Sequence, residues 1–198
     1  MEKTLQVLNA LERDGVVSRY AIGGAMAATF YAEPVLTFDL DIFVLLPETV
    51  GGLLTLAPLY ADLRRRGYVE EGECVLIEGV PVQFLPAYNA LLDEALAEAR
   101  ETLYEQTPTR VLRAEHLAAI AVSPRVGGHM ETVDPLRPEI ARLFAAKEQR
   151  RRQLASLPFP HKVRLVVQMQ QMAAPILRAR GRFFRLWEID AGSPPTQP

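Results

Sequence analysis

Asp39 and Asp41, together with the pair Gly23-Gly24, are the residues whose types and spacing suit chemistry on a charged substrate. The segment Val35 to Leu46 reads as a strand, and side chains along a strand alternate between its faces. Phe38, Leu40, Ile42 and Val44 point one way. Thr37, Asp39 and Asp41 point the other way, followed by Phe43 and Leu45. An apolar reverse face predicts a strand packed inside the protein, with two carboxylates projecting together from it. Like charges in such a place are costly unless a cation joins them. Same-face neighbours stand roughly 6.5–7 Å apart at about 3.3 Å rise per residue. A divalent ion held at about 2.1 Å per Mg–O bond bridges that gap once the side chains converge.

The glycines supply the complement. A helix from Ala25 to Ala32 is expected after the Gly23-Gly24 turn, stopped by Glu33-Pro34. From Gly24 to Glu33 it would cover roughly 15 Å. A strand returning from Leu36 to Asp41 covers about 16 Å. If the chain reverses at Glu33-Pro34, the carboxylates come back beside the glycine turn. Free N–H groups there can hold phosphate oxygens, and glycines permit close backbone approach. Phosphate donors beside metal-binding carboxylates form the layout that phosphoryl transfer needs.

The elements that position these residues follow from periodicity and turn signals. Residues 2–13 read as an amphipathic helix carrying Leu5, Leu8 and Leu11, and Val16 to Ile22 as a strand. Leu53 to Arg66 reads as a helix ended by Gly67. Strands near Glu73 to Ile77 and Val80 to Leu85 flank a two-residue hairpin turn, Glu78-Gly79. A helix from Tyr88 to Arg100, a short strand at Thr109 to Leu112 and a helix from Ala114 to Val122 complete an α+β domain with a mixed sheet. Residues 123–138, rich in Pro and Gly, read as a linker. Residues 139–190 read as a basic helical region, with helices at Glu139 to Leu154 and His161 to Arg180. Pro175 is expected to kink or shorten the second of these, and Gly181 to cap it. Its wide apolar arc must pack on the first domain, its sister helix or another chain. The segment 179–189 is expected to dock as a strand or tail, with nucleic-acid binding through Phe183, Phe184 and Trp187 as the other option. The tail 191–198 reads as disordered.

Composition bounds the setting. The 198 residues are 49% hydrophobic, enough to bury a core. A single cysteine, Cys74, excludes a disulfide framework and fits a reducing, cytoplasmic setting. Neither a secretory signal nor a membrane-spanning segment is expected. The net charge of −2 conceals an asymmetry. Residues 1–122 carry 9 Lys/Arg and 18 Asp/Glu, whereas residues 136–187 carry 12 Lys/Arg and 2 acids. Such a split suits either a nucleic-acid or acidic-partner surface, or mutual neutralisation of the two halves. Arg64-Arg65-Arg66 reads as a solvated helix end, and His116 as lacking the neighbours for a zinc site.

The order Gly23-Gly24, then Thr37-x-Asp39-x-Asp41, resembles the signature of the DNA polymerase beta-type nucleotidyltransferase superfamily, and among its members the small prokaryotic, AbiEii toxin-like nucleotidyltransferases. The resemblance covers roughly Leu5 to Val122. It implies NTP and Mg²⁺ binding and transfer of a nucleotidyl group to a hydroxyl on a nucleic-acid or protein acceptor. It assigns Gly23 and Gly24 to the triphosphate, Asp39 and Asp41 to the metal, and Thr37 to shaping the strand entry. It also implies a third carboxylate on a later strand, where this chain has Gln83 within Val80-Pro-Val-Gln-Phe-Leu-Pro. An amide ligates a metal weakly and takes no proton at neutral pH. Glu78 is the candidate substitute. The alternative is a transferase relic of toxin–antitoxin type, binding a protein partner through its C-terminal helices.

Overall fold

The computed structural model describes residues 1–33, 37, 39–47, 55–122, 149, 152–183 and 185–187. The expected linker at 123–138, most of the first basic helix and the tail 191–198 lie outside the described residues.

Seven strands form one mixed sheet in the order β3-β4-β5-β2-β1-β7-β6. They are β1 (Arg19–Ile22), β2 (Leu40–Leu45), β3 (Val69–Glu71), β4 (Cys74–Ile77), β5 (Val80–Pro86), β6 (Arg100–Tyr104) and β7 (Thr107–Val111). The helices are α1 (Glu2–Arg13), α2 (Gly24–Ala28), α3 (Ala57–Arg65), α4 (Ala90–Ala97), α5 (Ala114–Val122) and α6 (Phe159–Ala179). β2 runs parallel to β5, and β1 runs parallel to β7. The remaining neighbours are antiparallel. The architecture is therefore α+β, with helices on both faces of the sheet.

Alternation sorts the central strands onto two cores. Tyr20, Ile22, Leu40, Ile42, Val82 and Phe84 pack with Leu5, Leu8 and Leu11 of α1 and Leu59 and Leu63 of α3. Ala21 and Phe43 face the other way, onto Leu92, Ala95 and Leu96 of α4. The Asn89 side chain caps α4 by accepting from the Leu92 N–H at 2.9 Å. The expected hairpin closes at Glu78 (φ 51°) and Gly79 (φ 79°), both left-handed as a two-residue turn requires.

Three elements depart from the sequence reading. α2 is regular only to Ala28 and gives way to turns before Glu33. β3 and β6 are strands in stretches to which periodicity assigns no element, apart from Arg100, the expected end of a helix. By contrast, α6 follows the helix expected at His161 to Arg180 and continues through Pro175 without being cut short. The carbonyl that the proline leaves without its N–H partner belongs to exposed Gln171, where water can serve it. One residue on, the Tyr104 hydroxyl donates to the Met172 carbonyl at 2.9 Å. Gly181 (φ 70°) ends the helix with paired bonds, Gly181 N to Arg178 O and Arg182 N to Leu177 O, both 2.9 Å.

The apolar arc of α6 docks on the first domain, with Met172 and Ile176 in the main core. Arg180 fastens the docking. Its guanidinium donates to the carbonyls of Thr29, Ala32 and Tyr31 at 2.7, 2.6 and 3.0 Å. These carbonyls belong to the turns that follow α2, so one cation serves three main-chain acceptors there. Arg182 pairs with Glu33 alongside. Among the described residues of 179–189 no strand forms, and Phe183 and Trp187 stand exposed. Phe184 lies outside the described residues. No helix among the described residues is long and apolar enough to cross a membrane.

Candidate functional site

The glycine turn and the acidic strand meet. Gly23 joins the end of β1 to α2, and its N–H donates to the Asp41 carbonyl at 2.9 Å. Gly24 has φ +58° and lies directly under the Asp41 carboxylate: a Cβ built there would fall 1.9 Å from Oδ2 and 2.7 Å from Cγ. Only glycine fits, for both conformational and steric reasons. Gly23 is required by its neighbour instead, since a Cβ there would fall 2.3 Å from the Phe43 ring. Asp41 itself is buried, at 6% exposure.

Asp39 stands one residue before β2, half-buried. The Thr37 hydroxyl lies 3.1 Å from Asp39 Oδ1 and 3.2 Å from its carbonyl, so it can donate to either. Thr37 thus fixes the carboxylate at the entry of the strand. Thr37, Asp39 and Pro81 form one wall of a cleft whose other wall is Leu165, Met169 and Met172 of α6. The Gln168 amide ties α6 to the rim of this cleft, donating to the Gly79 carbonyl at 2.9 Å.

Gln83 is the register partner of Asp41 in the parallel β2–β5 pair. Paired positions share a face, so the amide and the carboxylate stand side by side. Gln83 is fully buried, and neither its Oε1 nor its Nε2 has a hydrogen-bond partner. A buried amide left in that state costs stability, and such groups call for a functional explanation. Glu78, the candidate substitute carboxylate, accepts from the Tyr68 hydroxyl at 3.1 Å on the exposed hairpin turn.

Asp39, Asp41 and the Gln83 Oε1 each offer an oxygen donor, a chemistry that suits a hard divalent cation such as Mg²⁺ and not a thiolate-seeking one. Elsewhere the basic run behaves structurally: Arg65 and Arg66 pair with Asp62, Arg66 also with Asp14, and Arg64 with Glu70. His116 is less isolated than its sequence context suggests. Its ligating atoms and those of Glu94 and Glu98 all lie within 4.8 Å of one another. Glu94 and Glu98 are one helical turn apart, a spacing legible in the sequence, but their meeting with α5 is not. Glu98 is already paired with Arg113 at 3.0 Å.

Fold and site together define an α+β protein with a buried acidic strand seated on a glycine turn. No family model matches the chain, and no curated protein matches it. Among solved structures it is similar to the antibiotic-resistance factor ANT(2″)-Ia in solution, at 19% identity and a TM-score of 0.35, over 82% of this chain and 99% of that one. It is also similar to ANT(2″)-Ia crystallised in complex with adenylyl-2″-tobramycin, at 19% identity and a TM-score of 0.35, over 89% of this chain and 98% of that one. At this degree of likeness the chemistry has to be read from the site itself.

Proposed function

We propose that the protein is a Mg²⁺-dependent nucleotidyltransferase, moving a nucleotidyl group from an NTP to an acceptor oxygen. The observation that carries this reading is the seating of the Asp41 carboxylate on the Gly24 backbone, next to the orphan amide of Gln83. In this reading Asp39 and Asp41 hold the metal, with Gln83 Oε1 as a weaker ligand. Gly23 and Gly24 would meet the triphosphate at the turn that opens α2, where the Gly23 N–H is held by the Asp41 carbonyl and Asp41 and Phe43 lie over the two glycines, and Thr37 keeps Asp39 oriented. Mg²⁺ supplies neutralisation of the phosphate charge and a template for in-line displacement. The residues' own work is to hold that charge in a largely buried corner, where electrostatic interactions are strongest.

The test is incubation with α-labelled NTPs, Mg²⁺ and candidate acceptors, alongside binding of Mg-NTP. Transfer and binding in the wild type, both lost in Asp39→Asn/Asp41→Asn, support the proposal. A wild type that fails to bind Mg-NTP refutes it. A toxin-type role predicts growth arrest on expression in a bacterial host by the wild type and not by the double variant. One observation favours a second reading: the amide at Gln83 gives the site no third carboxylate, as in a transferase relic that binds a protein partner. In that case Mg-NTP binding persists without transfer to any acceptor.

A further inference from the structure

The face of the sheet that carries Asp41 offers few groups able to take a proton. Besides Asp41, its described residues on the central strands are Arg19 and Ala21 on β1, Phe43 and Leu45 on β2, and Pro81, Gln83 and Leu85 on β5. α2 contributes no titratable side chain, while α4 and α5, packed on the same face, gather their Glu94, Glu98 and His116 with one another and with Arg113. In the proposed reading the two aspartates are committed to the metal. A hydroxyl acceptor, however, must lose its proton as it attacks, and among the strand and α2 residues no further carboxylate or imidazole stands ready for it.

We propose that the acceptor arrives already ionised, as a phosphomonoester, and that the Gln83 amide positions it. This inference rests on the nucleotidyltransferase reading and narrows its substrate. Two independent observations support it. First, Gln83 presents a buried Nε2 donor without a partner beside Asp41, where a carboxylate would repel an incoming phosphate. Second, residues 152–187 carry seven Lys/Arg and no Asp/Glu. α6, which belongs to this segment, walls the cleft at Asp39. Lys162 and Arg164 lie within one turn of Leu165 on that helix. A segment of one sign beside the cleft draws anions toward it and offsets their repulsion by the NTP.

The step balances without a base. An acceptor phosphate oxygen gives a lone pair to the α-phosphorus of the NTP. The bond from that phosphorus to the α–β bridging oxygen breaks, and pyrophosphate leaves with the electron pair. One phosphoanhydride replaces another, and no proton has to move.

The experiment compares a 5′-phosphorylated oligoribonucleotide with its 5′-hydroxyl twin, both blocked at the 3′ end, using α-labelled NTPs and Mg²⁺. The expected result is label on the phosphorylated acceptor alone, released by a pyrophosphatase specific for anhydrides. The rate is expected to be flat from about pH 7.5 to 9, since a phosphomonoester completes its ionisation near pH 6. Gln83→Glu is expected to lower this transfer at least tenfold and to admit the hydroxyl acceptor. Gln83→Leu, which adds no charge, is expected to lose transfer without gaining the hydroxyl acceptor. Mg-NTP affinity is titrated for both variants, and a loss of transfer well beyond any loss of that affinity separates positioning of the acceptor from weakening of the metal site. Label on the hydroxyl acceptor, or on neither while Mg-NTP still binds, overturns the inference and leaves the donor site standing. Failure of the wild type to bind Mg-NTP removes both readings.

Discussion

Gly24→Ala is the smallest perturbation that reaches the site. The added methyl group would fall 1.9 Å from Asp41 Oδ2, so the carboxylate has to shift by more than an ångström. Gly24 also sits at φ +58°, where an L-residue costs roughly 1–2 kcal/mol. Overpacking a buried group adds roughly 1–3 kcal/mol. The expected destabilisation is therefore roughly 2–5 kcal/mol. Gly72→Ala separates the two contributions. Gly72 has φ +66°, and nothing lies within 4 Å of its Cβ position, so it incurs the backbone cost alone. For a chain of this size 1 kcal/mol moves the melting temperature by about 2–4 °C. Gly72→Ala should fall by a few degrees with Mg-NTP affinity intact. Gly24→Ala should fall further and bind Mg-NTP at least tenfold more weakly, a loss of about 1.4 kcal/mol. Thermal melts and calorimetric titration with Mg-NTP read both. Equal melting shifts in the two variants, or wild-type affinity in Gly24→Ala, would refute the reasoning that ties the glycine to the carboxylate.

Three further outcomes follow from the packing. Arg180→Ala removes the donor to three carbonyls in the turns that follow α2, and bonds to a charged group are worth roughly 1.5–3 kcal/mol. Urea unfolding should show a loss of roughly 2–3 kcal/mol, and trypsin should cut within α6 sooner; unchanged proteolysis would show that the clamp is idle. Gln83→Leu replaces an unsatisfied buried amide by an apolar side chain of similar size, so stability should rise by roughly 1–3 kcal/mol. A lower melting temperature would mean that the amide has a structural partner. Tyr20 is buried, and loss of its surroundings' water pushes its pKa from 10.0 up to about 12. The unfolded chain then releases the proton first, so the contribution is intact below pH 10 and declines as pH rises through 12. At 1.36 kcal/mol per unit this amounts to roughly 2–3 kcal/mol, and Tyr20→Phe should flatten the slope of stability against pH over that interval.

The legible parts of this fold are those where burial and local chemistry agree. Leu5, Leu8 and Leu11 mark α1, and Glu78-Gly79 marks the hairpin. α5 occupies the residues its apolar period assigns it. The two strands missed by periodicity are the sheet's edges. β3 is exposed along its length, and β6 buries only Tyr104, so neither shows the alternation that a half-buried strand leaves in a sequence. The turn joining β6 to β7 is equally silent: Glu105 takes φ 53° without the glycine or asparagine that usually announces such a turn. Within the site, chain lengths point to a return of Asp41 to Gly24, although the helix they assume runs to Glu33 and α2 ends at Ala28. They were not enough to show the contribution of α6, because Arg180 meets Thr29 across 151 residues. Nothing local to either residue encodes that contact.

Where the chain departs from good local practice is itself informative. Sequences that specify a single fold satisfy buried polar groups and keep left-handed backbone for turns; exceptions gather where function demands them. Here the exceptions share one corner: a left-handed Gly24 in the first turn of a helix, a buried Asp41 carboxylate pressed on it, and a Gln83 amide with neither end bonded. The turns that follow α2 are held by Arg180, so the chain on both sides of this short helix has fixed contacts. A strained turn relaxes unless its surroundings over-determine it. The C-terminal helix α6 supplies that constraint by meeting the carbonyls of the turns that follow α2, while its Met169 and Met172 close the cleft beside Asp39. The basic segment is therefore part of the site's mechanical support as well as one of its walls, so damage to Arg180 should be felt at the carboxylates as well as at the turns it clamps.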